Sequence, residues 1–224
     1  MSVQQFYTRH VLPRLIHATC ASRPIERQRG KVVPGASGRV LEVGFGSGHN
    51  LPWYDPGVVT ELLALEPSAA LLEMARPAIG EAEFPVIEIP SGAEAIPLSS
   101  RSVDTVVMTY TLCSIPEAVA ALDEMRRVLK PRGRLIFVEH GVAPDAGVRR
   151  WQGRLNPMWR RVSGGCQLTL DPPHEIAAAG FSIESLETLY LPGWRPATVN
   201  DSGRARPTCS RTRPALRPGT PQAV

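Results

Sequence analysis

Short apolar runs recur along the first 140 residues, and the stretches between them carry apolar positions at helical spacing. Runs at 39–43, 58–65, 102–108 and 134–139 have strand length, and 84–89 alternates apolar with polar, so all five read as strands. Between them, 69–75 reads as a helix capped by Ser68, and 116–129 as an amphipathic helix with Val119, Leu122, Met125, Val128 and Leu129 on one side. A short helix starting near Asn50, with Pro52 in its first turn, is ended by residues 53–57. A helix at 175–179, stopped by Gly180, and a strand at 181–191 follow. Strands alternating with helices predict parallel pairing through right-handed crossovers. Apolar strands predict a sheet covered on both faces. The fold class is α/β, with six or seven strands.

The two ends and one insertion depart from this rhythm. Within residues 1–35, Phe6, Val11, Leu12, Leu15 and Ile16 fall at helical spacing around Pro13, which predicts a helical cover over a ligand cleft. Peripheral contact with a membrane surface is the alternative use of that helix. Residues 141–175 read as a lid inserted in a domain spanning 36–193, with Trp151 and Trp159 breaking polar stretches and Gly164-Gly165 as a hinge. From Trp194 the periodicity stops. Residues 194–224 are rich in Arg, Pro, Thr, Ser and Gly and are expected to be disordered, because so little apolar surface cannot offset the entropy of ordering them.

Composition narrows the classes. The chain has 224 residues, enough for one α/β domain with a sizeable core. No apolar run approaches the length of a membrane span, and Arg9, His10 and Arg14 interrupt the N-terminal apolar positions, so neither a span nor a signal peptide is expected. Four cysteines, Cys20, Cys113, Cys166 and Cys209, lie far apart without metal-ligand spacing; free thiols, no metal and a cytoplasmic setting are the expectation. The net charge is +4, but residues 195–224 hold six arginines against Asp201 alone. The excess belongs to the C-terminal end, so no nucleic-acid partner is expected.

Candidate chemistry concentrates at the end of the first strand. Val40 to Val43 breaks into Gly44, Gly46 and Gly48, with Glu42 two residues before the first glycine. Glycines so spaced serve where the backbone must take positive φ or press against a ligand. A nicotinamide site uses G-x-G-x-x-G; here the pattern is E-x-G-x-G-x-G. An acid, Glu66, ends the second strand 24 residues after Glu42, and Asp104 opens the fourth in S-V-D-T-V-V. The block 124–140, E-M-R-R-V-L-K-P-R-G-R-L-I-F-V-E-H, follows. Together these motifs resemble the class I S-adenosylmethionine-dependent methyltransferases over roughly residues 36–191. H-V-L-P-R-L-I-H (10–17), G-S-G-H-N-L-P-W-Y-D (46–55), T-L-C-S-I (111–115), F-V-E-H (137–140) and the segment 151–169 are similar to the methyltransferase-like thiol methyltransferases and their bacterial relatives.

The resemblance implies a Rossmann-like doubly wound, mostly parallel sheet with helices on both faces, closed by an antiparallel seventh strand. That strand would follow Leu191-Pro192-Gly193, where an Arg/Pro-rich segment stands instead, so its presence is in question. The implied reaction is transfer of a methyl group from S-adenosyl-L-methionine to a small lipophilic acceptor. A thiol is the first candidate; phenol, quinone or phospholipid amine are the others. If the C-terminus is altered, the alternative is a protein that binds the donor without turnover.

The same resemblance places the donor against Glu42, which orients it, and Gly44, Phe45, Gly46, Gly48 and Asn50, with its methionine portion at Thr109, Thr111 and Leu112. Its ribose falls at Glu66, with Pro67 and Ser68 beside it also in the binding site. Its adenine falls at Gly92, Ala93 and Glu94, with Gly92 standing where many relatives carry an acid. Glu139 and His140, ending the fifth strand, are the candidate catalytic residues. A histidine there can take the acceptor's proton near neutral pH; packing against the lid through a hydrogen bond is the alternative role of His140. Cys113 is expected to pack, since direct transfer needs no nucleophilic cysteine.

Overall fold

A computed structural model describes residues 6–208. Seven strands among them form one sheet in the order β3-β2-β1-β4-β5-β7-β6. Strands β1 (Gly38–Val43), β2 (Val59–Leu65), β3 (Val86–Ile89), β4 (Val103–Thr109) and β5 (Leu129–His140) pair in parallel. β6 (Phe181–Tyr190) pairs only with β7 (Val199–Pro207), which runs antiparallel to both β5 and β6.

Alternate strand residues feed two separate cores, one on each face of the sheet. Leu41, Leu63, Val106 and Phe137 pack with α4 (Ala118–Val128) through Leu122 and Met125 and with α6 (Pro172–Ala178) through Ile176. Val40, Leu62, Val107 and Ile136 pack on the other side with α2 (Arg23–Val32) through Val32 and α3 (Ala69–Gly80) through Leu72. Full burial of strand residues on both faces is what near-continuous apolar runs require. α3 starts where expected, with Ser68 Oγ accepting from Leu71 N, but runs on through Pro77. After Asn50 only a single 3₁₀ turn forms, Leu51–Trp53. β5 begins five residues earlier than expected, because a bulge opposite Val103–Thr105 absorbs residues 130–133 within the strand.

The fourth-strand aspartate lies at the amino edge of the sheet. Asp104 takes Arg39 N at 3.0 Å and Lys130 Nζ at 2.8 Å, and its carboxylate fills the space where Gly38 would carry a Cβ. It pins β1, β4 and the start of β5, so this motif is structural.

The expected disorder after Trp194 is corrected for residues 194–208. Arg195–Ala197 is a 3₁₀ turn, and Val199–Pro207 is the antiparallel strand whose presence was in question. Asn, Asp, Ser, Gly, Arg and Pro have poor strand propensity, but propensity yields to context when ladders form on both sides. Asn200, Asp201 and Ser202 are buried; Asn200 Nδ2 donates to Glu139 O at 2.9 Å, and Asp201 accepts from Thr188 Oγ1 at 2.6 Å. Gly203 is indispensable, since a Cβ there would stand 2.1 Å from Ser185 O. Residues 209–224 of the expected tail, with Cys209, lie outside the described residues. No helix among the described residues is long and apolar enough to cross a membrane.

Candidate active site

The carboxyl ends of β1, β2, β3, β4 and β5 share one edge, and the loop after β1 folds back over it. Gly44, Gly46 and Gly48 have φ of 70°, 59° and 80°, all in the left-handed region that costs other residues about 1–2 kcal/mol. The first is also sterically fixed: a Cβ on Gly44 would lie 2.2 Å from Thr111 Oγ1. A Cβ on Gly46 would meet nothing nearer than Gly44 O at 3.9 Å, because that residue faces open space. Glu66 secures the loop from the end of β2, taking Gly46 N on one oxygen and Ser68 N on the other, each at 2.9 Å. Burial raises the Glu66 carboxyl above the usual range, partly offset by those two N–H donors.

The open space is a cavity of about 470 Å³. Of the residues read from the sequence, Gly44, Phe45, Gly46, Glu66, Pro67 and Ser68 line one wall. Gly92, Ala93 and Glu94 form a second wall, with Thr109 and Thr111 on a third. Glu42, Gly48, Asn50 and Leu112 stand behind this surface. Glu42 accepts from Asn50 Nδ2 at 2.9 Å and from Tyr54 OH at 2.7 Å, and Asn50 also donates to Thr109 Oγ1 at 3.0 Å. Full burial pushes the Glu42 carboxyl up to about 7, against the opposing pull of Tyr54, Arg29 and Asn50.

Arg29 completes this network and was not singled out in the sequence. It comes from α2, is 4% exposed, and donates from one nitrogen to Asn50 Oδ1 at 2.7 Å and Thr109 Oγ1 at 2.6 Å. Its Nε has no partner among the described residues and the side chain lines the cavity. His49 also reaches the cavity; its Nε2 is buried without a partner among the described residues, and burial, with Arg29 and His17 nearby, lowers it to about 4. His17, from α1 (Leu12–Cys20), stacks on His49 and bonds Ser47 Oγ at 2.8 Å. The helical cover thus supplies polar groups as well as the apolar Leu12 and Ile16.

A second cavity, about 400 Å³, adjoins the first and shares Leu12, Ile16, Cys20 and Tyr110 with it. Tyr110 has φ of 55° without being glycine, a strained turn held by Tyr110 N to Val138 O at 2.8 Å and Tyr110 OH to Asn200 Oδ1 at 3.2 Å. His140, Cys113, Cys166 and Trp159 face this cavity, and Leu191, Ala197 and Val199 bring the C-terminal segment into its wall. Trp159 comes from α5 (Ala146–Val162). Trp151 of the same helix is 56% exposed and borders a surface groove away from the glycine loop. Glu139 is fully buried and lines neither cavity: its carboxylate takes Thr111 N at 2.8 Å and Leu112 N at 3.1 Å. Burial raises it to about 7 despite those donors. It braces the end of β4, whereas His140, bonded through Nε2 to Cys166 Sγ at 2.9 Å, faces the cavity.

A profile of the Methyltransferase domain family matches residues 41–137, the span from β1 to β5. The human thiol S-methyltransferase TMT1B is 32% identical over 182 residues, covering 78% of this chain and 74% of that protein. The chain belongs to this methyltransferase family. A phosphatidylethanolamine N-methyltransferase from Cereibacter sphaeroides is also 32% identical, over 159 residues, covering 67% of this chain and 76% of that one. An S-adenosylmethionine-dependent methyltransferase from Thermotoga maritima shares the fold, with a TM-score of 0.61 and 21% identity over 88% of this chain and 98% of that one. The methyltransferase uses S-adenosylmethionine, and the first cavity fits it. The cavity combines an open glycine wall, an acid at the β2 end, and two buried nitrogens, on Arg29 and His49, without partners among the described residues. Its volume lies in the range of small-molecule sites.

Proposed function

We propose that this methyltransferase acts on a small lipophilic thiol, received in the second cavity. One observation carries the reading: that cavity adjoins the donor cavity and has no Asp, Glu, Lys or Arg in its lining among the described residues. A cationic amine or a phosphate headgroup would enter it without a counter-charge, which is costly in an apolar site. A thiol asks for no such partner. The name of the TMT1B relative supports the same acceptor class, and the phosphatidylethanolamine relative makes the charge argument the deciding one. Leu15 and Val162, which line this cavity, are 50% and 52% exposed, so its rim favours lipophilic molecules and peripheral contact with a lipid surface.

In this reading the loop of Gly44, Phe45 and Gly46 and the Arg29 guanidinium hold the methionine portion of the donor. Glu66 accepts from ribose hydroxyls on its remaining lone pairs, and the backbone around Ala93, with Glu94, faces the adenine. Glu42, Asn50 and Thr109 keep Arg29 and the loop in place. When bound, S-adenosylmethionine supplies a methyl group on a positively charged sulfur. The protein's part is to orient the acceptor and exclude water. Of the two candidate catalytic residues, His140 is the one at the acceptor, and Glu139 is a positioning residue.

Transfer of labelled methyl from S-adenosylmethionine to a panel of alkyl and aryl thiols, phenols, demethylated quinols and phosphatidylethanolamine tests this. Label on the thiols is the expected result. Untouched thiols with label on the lipid or quinol would overturn it. Donor binding with no acceptor labelled would favour the non-catalytic alternative.

A further inference from the structure

Three donor side chains at least 26 residues apart in sequence meet at the wall of the acceptor cavity. Cys113 lies in the 3₁₀ turn after β4, His140 ends β5, and Cys166 sits in the loop after α5. A ring nitrogen and two sulfurs lie within 4.8 Å of one another, and all three residues line the cavity. The arrangement is held from outside. Gln167 N donates to Cys113 O at 3.0 Å, tying the two loops together, and Glu139 clamps the turn before Cys113 through Thr111 N and Leu112 N. Trp159 Nε1 points its N–H at Cys166 Sγ, 3.3 Å away.

We propose that Cys113, His140 and Cys166 bind a soft divalent ion of the zinc class, whose fourth coordination position opens on the cavity and takes the sulfur of the acceptor thiol. Three protein ligands with one open position is the arrangement of catalytic zinc sites, Cys₂His among them. Zinc–sulfur and zinc–nitrogen bonds of about 2.3 and 2.0 Å put tetrahedral ligand atoms roughly 3.5–3.8 Å apart, so a cluster already within 4.8 Å needs only small adjustments. Two thiolates balance the charge of a divalent ion, which suits a cavity whose described lining holds no Asp, Glu, Lys or Arg. The Trp159 N–H supports a ligand sulfur in the way outer partners support ligands at metal sites.

The assignment of the fourth position rests on the thiol reading above; the three-ligand site does not. On coordination the acceptor S–H loses its proton to water, and its sulfur keeps the electron pair. That sulfur then forms the new S–CH₃ bond as the S–CH₃ bond of the donor breaks, with the donor sulfur retaining its pair. The products are a thioether and S-adenosylhomocysteine.

The test uses the full chain, reduced with a phosphine and stripped of metal by chelator. Dialysis against Zn²⁺ is expected to leave one equivalent per chain. Co²⁺ should give the thiolate charge-transfer and tetrahedral visible bands, both lost in the C113S/C166S variant. Absence of stoichiometric binding, or bands that persist in that variant, would overturn the site. If the variant does not fold, alkylation of the wild-type chain decides: Zn²⁺ should protect Cys113 and Cys166 but not Cys20, and equal labelling with and without Zn²⁺ overturns it. Propanethiol added to the Co²⁺ form should shift the visible bands; unchanged bands remove the acceptor from the fourth position. If Zn²⁺ binds as expected but no thiol is methylated, the proposed acceptor fails and the metal site stands.

Discussion

The guanidinium of Arg29 lies 2.7 Å from Asn50 Oδ1, locking a helix that precedes β1 to the turn that follows it. The same nitrogen reaches Thr109 at the end of β4, so three parts of the chain depend on one buried cation. Arg29→Ala should cost about 1–3 kcal/mol by leaving buried acceptors unpaired. It should also weaken S-adenosylhomocysteine binding by roughly tenfold or more, one hydrogen bond to charge or better. Arg29→Lys should restore part of the stability and less of the affinity, because an ammonium lacks the planar fork. Urea unfolding and calorimetry separate the two effects.

Gly46 and Gly44 should respond differently to alanine. At Gly46 the backbone strain is about 1–2 kcal/mol and the methyl has room, but the room is the cavity proposed to hold the donor. G46A is expected to fold with a modest loss of stability and to lose S-adenosylhomocysteine binding. G44A drives a methyl into Thr111 and should fail to fold or unfold far below the wild type. Thermal unfolding with and without S-adenosylhomocysteine distinguishes them.

Glu42 makes the ligand-free protein sensitive to pH. Its carboxyl titrates near 7 in the fold against 4.5 when unfolded, so the folded state holds the proton in that window. Its contribution to stability is full below 4.5 and is lost as pH rises through 7. E42Q should therefore lose less stability than the wild type between pH 5 and 7, by on the order of 2 kcal/mol. His49 works in the opposite direction. Lowered to about 4, it favours the folded state above its unfolded value of 6.5, and that contribution fades as pH falls toward 4. Urea midpoints at pH 5 and 7 for wild type and E42Q give the difference directly; equal slopes would show that Glu42 is ionised throughout.

Truncation after Gly193 removes β7 and exposes the edges of both β5 and β6. The shortened chain should aggregate, because two unpaired edges invite pairing between molecules. Gly203→Val should reproduce much of that loss within the full-length chain, since its side chain would run into Ser185 O and Phe137. Solubility and size-exclusion profiles are the measurements.

The parallel half of the sheet and the glycine loop were readable because their signals are local: apolar runs of strand length, then glycines where φ turns positive. Glu66 was found for the same reason, at a strand end beside a helix cap. Arg29 was hidden because its partners lie 21 and 80 residues away and nothing in R-Q-R-G-K marks one arginine as buried. Glu139 looked catalytic from its place at a strand end, but side chains alternate there, and its face of β5 meets the backbone of Thr111 and Leu112. β7 was unreadable because its stability comes from two neighbouring ladders and from satisfied polar side chains, neither of which shows as an apolar pattern. The Cys113, His140 and Cys166 cluster escaped a search by spacing because the fold, and no short motif, assembles it.

The position of β7 between β5 and β6 also sets an order of assembly on the ribosome. The five parallel strands can pair as they emerge, each finding a neighbour already made or next in line. β6 emerges with no partner at all, since its sole neighbour among the described strands is encoded after it. The growing chain must therefore carry the free edge of β5 and one orphan strand until β7 is synthesised. Because β7 also supplies Asn200 behind Tyr110, and its first residue, Val199, lines the second cavity, a nascent chain completes that cavity only after β7 has been made.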